Sequence, residues 1–216
     1  MKIICLHTAE SNIAVFEAAA REIGIADNVL SHEVRPDLLA SAERSGGLTR
    51  DIADETASVL RSLSRGADAV VLTCSTLGPS VDGLRHTTSV PILRVDAALA
   101  EKAVHAGGKI VALCAVETTM QSTAELFAEA TEVSQTPYEI RLVSGAWASF
   151  KAGDREEYLS SIAAAADDAY REGATIVVLV QASMAGAADL VKGGPRPLTS
   201  PVAGLAAAAE RISQNS

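Results

Sequence analysis

The sequence predicts an α/β fold of two similar lobes, each a parallel sheet covered by helices. Three observations lead to this prediction. Short β-branched runs alternate with alanine-rich helical stretches, this alternation continues along the whole chain, and the second half resembles the first. Apolar strands separated by helices of this length are typical of parallel sheets with both faces buried.

The predicted strands are short, continuous apolar runs, and the predicted helices repeat their apolar residues every three or four positions. The strands span residues 2–6, 69–73, 109–113, 139–143 and 175–180, with weaker runs at 28–31, 91–95 and 197–199. The helices span residues 12–23, 49–64, 96–106, 119–130, 155–171 and 201–212. Their alternation indicates the repeated strand–helix units of a parallel sheet.

The two halves of the chain match at an offset of about 107 residues. The segment RGA at 65–67 falls on EGA at 172–174, and VVL at 70–72 falls on VVL at 177–179. Several matches at one offset favour duplication over the chance similarity of any two strand–helix units. We therefore expect a first lobe over residues 1–96 and a pseudo-symmetric second lobe over 97–200. A cleft should separate them, and a C-terminal helix over 201–216 should pack back on the first lobe.

Composition and charge argue against several classes of protein. The 216 residues are 48% hydrophobic and 21% charged, which is typical of a folded soluble domain. With 27 acidic and 18 basic residues, a net charge of −9 and only 3% aromatic residues, the chain suits neither nucleic acid nor an anionic membrane. No apolar stretch is long enough to span a bilayer, and residues 1–12 turn polar too early for a signal-peptide core. We expect a cytoplasmic protein.

Three widely spaced cysteines, Cys5, Cys74 and Cys114, form no disulfide framework and no pattern of zinc ligands. The glycine-rich motifs that bind phosphates or dinucleotides are absent from the sequence too. We therefore expect no cofactor and no metal. Cys5 and Cys114 fall inside predicted strands and are interpreted as core residues.

The loops at the carboxyl ends of the predicted strands are rich in hydroxyl groups. Ligands of open parallel sheets bind at these ends, and hydroxyl and backbone N–H groups there suit a small oxyanion. The candidate substrate-binding residues are Ser11, Asn12, Ser75, Thr76, Thr118 and Thr119. Capping of the following helices is the alternative interpretation, and it does not exclude binding.

Cys74 follows a buried strand at one of these ends. A thiol beside helix N–H groups has its thiolate favoured, and the thiolate is the reactive form. A small buried apolar residue is the alternative interpretation of this cysteine. His7, at the end of the first strand, is either a proton carrier near neutral pH or a hydrogen-bonded loop residue. His32, His86 and His105 are assigned no role.

Several stretches resemble the aspartate/glutamate/hydantoin racemase superfamily. Residues 70–76 (VVLTCST) look like the strand and loop of its first catalytic cysteine. Residues 89–106 and 109–113 are similar to its crossover between lobes, and residues 118–122 resemble its hydroxyl-rich turn. The resemblance implies two pseudo-symmetric lobes and cofactor-free proton transfer by cysteine at the carbon next to a carboxylate.

In that superfamily each lobe contributes one catalytic cysteine, but this chain departs from the pattern. Residues 178–184 resemble the second cysteine motif, and Gln181 stands at the place of the cysteine. The internal repeat also pairs Gln181 with Cys74. Since glutamine hydrogen-bonds but exchanges no proton at neutral pH, we expect Gln181 to orient the substrate. The candidates for a second proton carrier are His7 and Ser183.

The resemblance implies an isomerase in which Cys74 is the acid and base. The expected substrate is a small carboxylate, an amino acid, a hydantoin or a malonate-like compound, and the expected assembly is a homo-oligomer. Two alternatives stay open. One is one-sided chemistry, as in arylmalonate decarboxylase or a tautomerase. The other is a non-catalytic protein that binds small carboxylates.

Overall fold

A computed structural model describes residues 1–84 and 87–215 of the chain, so His86 lies outside the described residues. The chain divides into two compact units. The first consists of Met1–Ala98 and the C-terminal segment from Pro201, and the second consists of Leu99–Ser200.

Each unit contains one four-stranded parallel sheet. The strands of the first sheet are β1 (Ile3–His7), β2 (Leu30–Val34), β3 (Ala69–Leu72) and β4 (Ile92–Arg94). Those of the second are β5 (Ile110–Cys114), β6 (Tyr138–Leu142), β7 (Ile176–Leu179) and β8 (Leu198–Thr199). The orders, β2-β1-β3-β4 and β6-β5-β7-β8, correspond strand for strand. The predicted α/β class with two lobes is confirmed.

The strand register follows the repeat found in the sequence. Ile3 of β1 pairs with Ala69 of β3, and Ile110 of β5 pairs with Ile176 of β7. Ile110 follows Ile3 by 107 positions (110 − 3), and Ile176 follows Ala69 by the same number (176 − 69). The offset therefore superposes the two central strand pairs in register.

Helices cover the sheets in both units. They are α1 (Ser11–Glu22), α2 (Pro36–Arg44), α3 (Arg50–Ser64), α4 (Val95–Ala106), α5 (Met120–Thr131), α6 (Ala146–Lys151), α7 (Arg155–Arg171) and α8 (Ser200–Gln214). Three 3₁₀ segments, Gly78–Leu84, Glu117–Thr119 and Ala182–Asp189, follow β3, β5 and β7. Among the described residues, no helix combines the length and the apolar character needed to cross a bilayer.

Burial explains which elements the sequence pattern finds. All residues of β1, β3 and β5 are buried, so these central strands are continuous apolar runs. The edge strands β2 and β6 are mostly partly exposed and carry charged residues. The second strand therefore lies at Leu30–Val34 rather than at 28–31 as predicted. The short helices α2 and α6 were not predicted at all.

Candidate functional site

The candidate residues of the first unit lie at the carboxyl ends of β1 and β3. Cys74 lies two positions beyond the end of β3, in the loop that leads to the 3₁₀ segment Gly78–Leu84. Ser11 and Asn12 are the first two residues of α1, just beyond β1. Because β1 and β3 are hydrogen-bonded parallel neighbours, these two loops emerge at the same edge of the sheet.

The Cys74 thiol is partly buried and surrounded by hydrogen-bond donors. The Thr8 side chain and the backbone N–H groups of Thr76 and Leu77 hydrogen-bond to its sulfur. Burial raises the pKa of the thiol above its ordinary value, and the negative charge of Asp96 adds to this effect. The three donors oppose the rise because they stabilise the thiolate. At neutral pH the protonated thiol is therefore the resting form.

A buried ion pair supports the loop that carries Cys74. Arg94, at the end of β4, donates from Nε and Nη2 to the two carboxylate oxygens of Asp96, at 2.7 and 2.8 Å. Their side chains are only 6% and 2% exposed, so a well-aligned pair is required to offset their desolvation. A Cβ atom at Gly78 would overlap the Arg94 guanidinium. The 3₁₀ segment after Cys74 therefore lies directly against Arg94.

Asn12 is 7% exposed, and its Oδ1 has no hydrogen-bond partner among the described residues. A buried polar atom without a partner costs about 1–3 kcal/mol, so such atoms point to a bound ligand or water. Helix α1 has Glu10 at its N-cap without a side-chain cap hydrogen bond, so neither Ser11 nor Asn12 acts as the N-cap of this helix. Ser11 is exposed, whereas Ser75 and Thr76 are buried beside Cys74.

His7 belongs to a chain of hydrogen bonds. Its Nδ1 lies 2.9 Å from Thr73 Oγ1, and its Nε2 lies 2.9 Å from His32 Nδ1. His32 Nε2 lies 2.9 Å from Glu17 Oε1. Burial, assisted by the neighbouring His32, lowers the pKa of His7 to about 3. His7 is therefore neutral at neutral pH, and its role as a second proton carrier stays a prediction.

In the second unit, Gln181 connects the loops that follow β5 and β7. Its Oε1 accepts a hydrogen bond from the backbone N–H of Ala115 at 2.5 Å, and its Nε2 donates to Thr119 Oγ1 at 2.8 Å. The Thr119 hydroxyl in turn donates to the carbonyl of Val116 at 2.6 Å. These bonds use the amide oxygen and one of the two amide N–H groups within the unit.

Ser183 and Thr118 are both partly buried. Ser183 Oγ lies 2.7 Å from the hydroxyl of Tyr158. Burial raises the pKa of Tyr158 to about 12, so this phenol stays protonated at neutral pH and does not activate Ser183 as a base. Thr118 lies in the 3₁₀ segment Glu117–Thr119 after β5, where the sequence placed a hydroxyl-rich turn.

Three residues that shape the surroundings of Cys74 were missed in the sequence: Thr8, Arg94 and Asp96. Thr8 directly follows a strand end, which is the criterion that selected the other hydroxyl residues. Arg94 and Asp96 are opposite charges at the end of an apolar run, and a charged residue is almost fully buried only when paired. Two opposite charges at this point of the sequence were therefore the feature that could have identified Arg94 and Asp96 as a buried pair.

Known proteins share both sequence and fold features with this chain. The model of the Asp/Glu/hydantoin racemase family matches residues 40–209. An allantoin racemase from Pseudomonas fluorescens superposes with a TM-score of 0.67 and 17% identity, covering 99% of this chain and 92% of that chain. An aspartate racemase from Picrophilus torridus gives 0.73 and 14%, covering 99% and 95%.

A glutamate racemase from Bacillus anthracis superposes with a TM-score of 0.71 and 14% identity, covering 100% of this chain and 82% of that chain. No curated protein matches the sequence significantly. Likeness at such low identity concerns the fold, whereas the match over residues 40–209 concerns the sequence itself.

Proposed function

We propose that this chain, which belongs to the Asp/Glu/hydantoin racemase family, is an isomerase that moves a proton at the carbon α to a carboxylate or imide carbonyl without a cofactor. The observation that carries this proposal is the thiol of Cys74, held by three hydrogen bonds at a strand end. The carboxyl ends of parallel strands are where open α/β sheets bind their ligands. The family match includes Cys74 and Gln181.

Cys74 is the proposed acid and base. As a base, its thiolate takes the α-proton, so that an S–H bond forms and the C–H electron pair moves toward the carbonyl oxygen. As an acid, the same thiol returns a proton to the same face of the α-carbon, which gives exchange with retention, so inversion requires that a second carrier deliver the proton to the opposite face. The raised pKa of Cys74 makes the thiolate a strong base, and the bonds from Thr8, Thr76 and Leu77 stabilise it during the transfer.

Asn12 supports a substrate that carries an N–H group. Its buried Oδ1, which has no partner among the described residues, is an acceptor suited to an amino or imide N–H. Amino acids and hydantoins have such a group. Ser75 and Thr76, buried next to Cys74, and the exposed Ser11 are the proposed donors to the carboxylate or imide oxygen.

One-sided chemistry is the second candidate function, and Gln181 favours it. Racemisation needs a proton carrier on each face of the planar intermediate. Gln181 exchanges no proton, and its amide is already engaged by Ala115 and Thr119. In one-sided decarboxylation the bond to a carboxylate breaks, CO₂ leaves, and the Cys74 thiol protonates the resulting enediolate. The raised pKa of Cys74 keeps this acid form present at neutral pH.

Deuterium exchange distinguishes these functions. The protein is incubated in D₂O with amino acids, hydantoins and α-substituted malonates, and the α-proton is followed by NMR while optical rotation reports inversion. Exchange with inversion supports the racemase. Exchange or CO₂ release without inversion supports one-sided chemistry. Binding with neither outcome contradicts both and indicates a non-catalytic carboxylate-binding protein.

Substitution of Cys74 tests its assignment. We expect Cys74→Ala to lower the rate of exchange or decarboxylation by about 10²- to 10⁴-fold, the usual contribution of a positioned acid or base. The matched control is Cys114→Ala, since Cys114 is a buried thiol of the second unit whose sulfur contacts Thr123 Oγ1 at 3.8 Å. The control should keep its activity. Full activity in Cys74→Ala would overturn the assigned role.

A further inference from the structure

Cys5, His7 and His32 bring three metal-ligating atoms together in the first unit. One ligand atom from each residue lies within 4.8 Å of the other two. Cys5 and His7 are two positions apart on β1, so their side chains point to the same face of the sheet. The register of β1 and β2 pairs Cys5 with His32. Strand geometry therefore produces a cluster that no sequence spacing reveals.

Hydrogen bonds on the outside of this cluster suit one particular tautomer of the two histidines. In it the Thr73 hydroxyl donates to the carbonyl of Leu6 at 3.0 Å and accepts the bond from His7 Nδ1–H at 2.9 Å. The carboxylate of Glu17 accepts from His32 Nε2–H at 2.9 Å. In this tautomer both outer nitrogens are donors.

In this tautomer the two inner nitrogens face each other with their lone pairs. His7 Nε2 and His32 Nδ1 lie only 2.9 Å apart. Two lone pairs at this distance repel each other unless a cation lies between them. That cation is either a proton, which makes one ring an imidazolium, or a metal ion. The thiol of Cys5 beside both nitrogens supplies a third ligand, which a shared proton does not require.

We propose that Cys5, His7 and His32 form a binding site for a zinc-type divalent metal ion. Thiolate and imidazole are the ligands that Zn²⁺ prefers. In protein metal sites each ligating histidine donates its other ring N–H to an oxygen, as His7 does to Thr73 and His32 does to Glu17. Zn–N bonds of about 2.05 Å at a tetrahedral angle separate two nitrogens by roughly 3.3 Å, so the rings move apart by roughly 0.4 Å on binding.

The side chains of this cluster differ in how far they are buried. Cys5 and His7 have no exposed surface, whereas the side chains of His32 and Glu17 are 13% and 26% exposed. An ion therefore enters past His32. Binding replaces the thiol proton of Cys5 by the ion, and it also displaces the proton that otherwise lies between His7 Nε2 and His32 Nδ1. None of these groups is part of the acid/base assignment to Cys74, so the site stands independently of the proposed function.

Cobalt binding tests this proposal directly. Co²⁺ is titrated into the purified, chelator-treated chain and followed by absorption spectroscopy. We expect one equivalent to bind, with a near-ultraviolet thiolate-to-cobalt charge-transfer band and the visible bands of tetrahedral cobalt, and zinc should displace it. Absence of these bands at millimolar Co²⁺ would overturn the proposal and leave a proton as the shared cation.

Variants locate the bound ion. Cys5→Ser should abolish the charge-transfer band, whereas Cys74→Ser and Cys114→Ser should retain it. His32→Ala, at a partly exposed position that tolerates truncation, should weaken cobalt binding by more than about 100-fold, and Glu17→Gln should weaken it by about 10- to 100-fold. Far-UV circular dichroism confirms that each variant is folded. A folded His32→Ala chain with unchanged affinity would contradict the site.

Discussion

At the scale of single residues, Cys74 is controlled by two opposing influences. Burial and the nearby Asp96 favour the neutral thiol, while hydrogen bonds from Thr8, Thr76 and Leu77 favour the thiolate. Burial is the largest of these effects, and the pKa of Cys74 stays above its ordinary value. A thiol in this state is a strong base when ionised but is seldom ionised at neutral pH.

The pH dependence of α-proton exchange follows from this raised pKa. Because proton removal requires the thiolate, the exchange rate should rise as the pH increases beyond neutrality, since the thiolate fraction grows until the pH passes the raised pKa. Thr8→Val removes one thiolate-stabilising bond and should shift the profile to still higher pH. The measurement is the deuterium exchange rate against pH. A rate that is flat above neutral pH would contradict a thiolate base, and decarboxylation by the thiol should show the opposite slope.

Gly78 shows how closely the loop after Cys74 approaches the buried Arg94. We expect Gly78→Ala to lower the free energy of unfolding by about 1–3 kcal/mol, because the added methyl group overlaps the guanidinium and both must shift. Gly83→Ala is the matched control in the same 3₁₀ segment, where a Cβ meets nothing within 4 Å. Urea unfolding measures both variants. Equal stability of the two variants would contradict this prediction, because the loop would then shift away from Arg94 without a loss of unfolding free energy.

At the scale of secondary-structure elements, the second unit depends on bonds between its strand-end loops. Gln181 follows β7 and bonds to Ala115 and Thr119 in the loop after β5. The amide thus acts as a brace between two neighbouring strands of the sheet. These two bonds leave one N–H group of the Gln181 amide. Substrate orientation by Gln181 therefore has to use that group.

Replacement of Gln181 tests how much these hydrogen bonds contribute to the free energy of unfolding. Gln181→Leu keeps a similar volume but leaves the Ala115 N–H without its acceptor and removes the bond that the Thr119 hydroxyl accepts, so the free energy of unfolding should fall by about 1–3 kcal/mol. Gln121→Leu is the control, since Gln121 is exposed and its side chain bonds to the neighbouring Glu125 across one helical turn. Urea denaturation followed by circular dichroism reports both. A Gln181 variant as stable as the control would refute the bracing role.

At the scale of the whole molecule, folding stability should depend on pH through carboxylates that accept backbone hydrogen bonds. Asp167 Oδ1 on α7 accepts from the backbone N–H groups of Gly193 at 2.6 Å and Lys192 at 2.9 Å. These bonds hold the pKa of Asp167 below its ordinary value. A group with a lowered pKa in the folded state stabilises it above the unfolded pKa of about 3.9, and this stability is lost as the pH falls further.

Asp167→Asn should therefore destabilise the protein at neutral pH by about 1 kcal/mol, since a charged acceptor forms stronger bonds than a neutral one. Its difference from the wild type should shrink as the pH falls below about 4, where the carboxylate of the unfolded chain becomes protonated first and that of the folded chain follows at lower pH. Asp189→Asn, which removes an exposed ion pair with Arg196, should change stability by less than about 0.5 kcal/mol at either pH. Unfolding free energies at the two pH values check this. A difference that persists in acid would contradict the mechanism.

Much of this architecture is readable in the sequence because the central strands are buried on both faces. A strand such as β3 has to be apolar throughout, and its repeat in β7 has to be apolar too, so both runs and their offset are visible. The edge strand β2 faces water and carries polar residues, which shifted its predicted position. The helices α2 and α6 are too short to show a long apolar period, so the sequence pattern does not reveal them.

By itself, the sequence determined the fold class, the repeat and the family resemblance, and it led to the proposal that Cys74 is the reactive thiol, because these depend on residue types along the chain. Only the tertiary structure decided what surrounds those residues. It placed Thr8 at the Cys74 sulfur, engaged the amide of Gln181 within its own unit, and joined Cys5, His7 and His32 across β1 and β2. The physical reason is strand register, which brings residues distant in sequence within hydrogen-bond distance and leaves no local pattern.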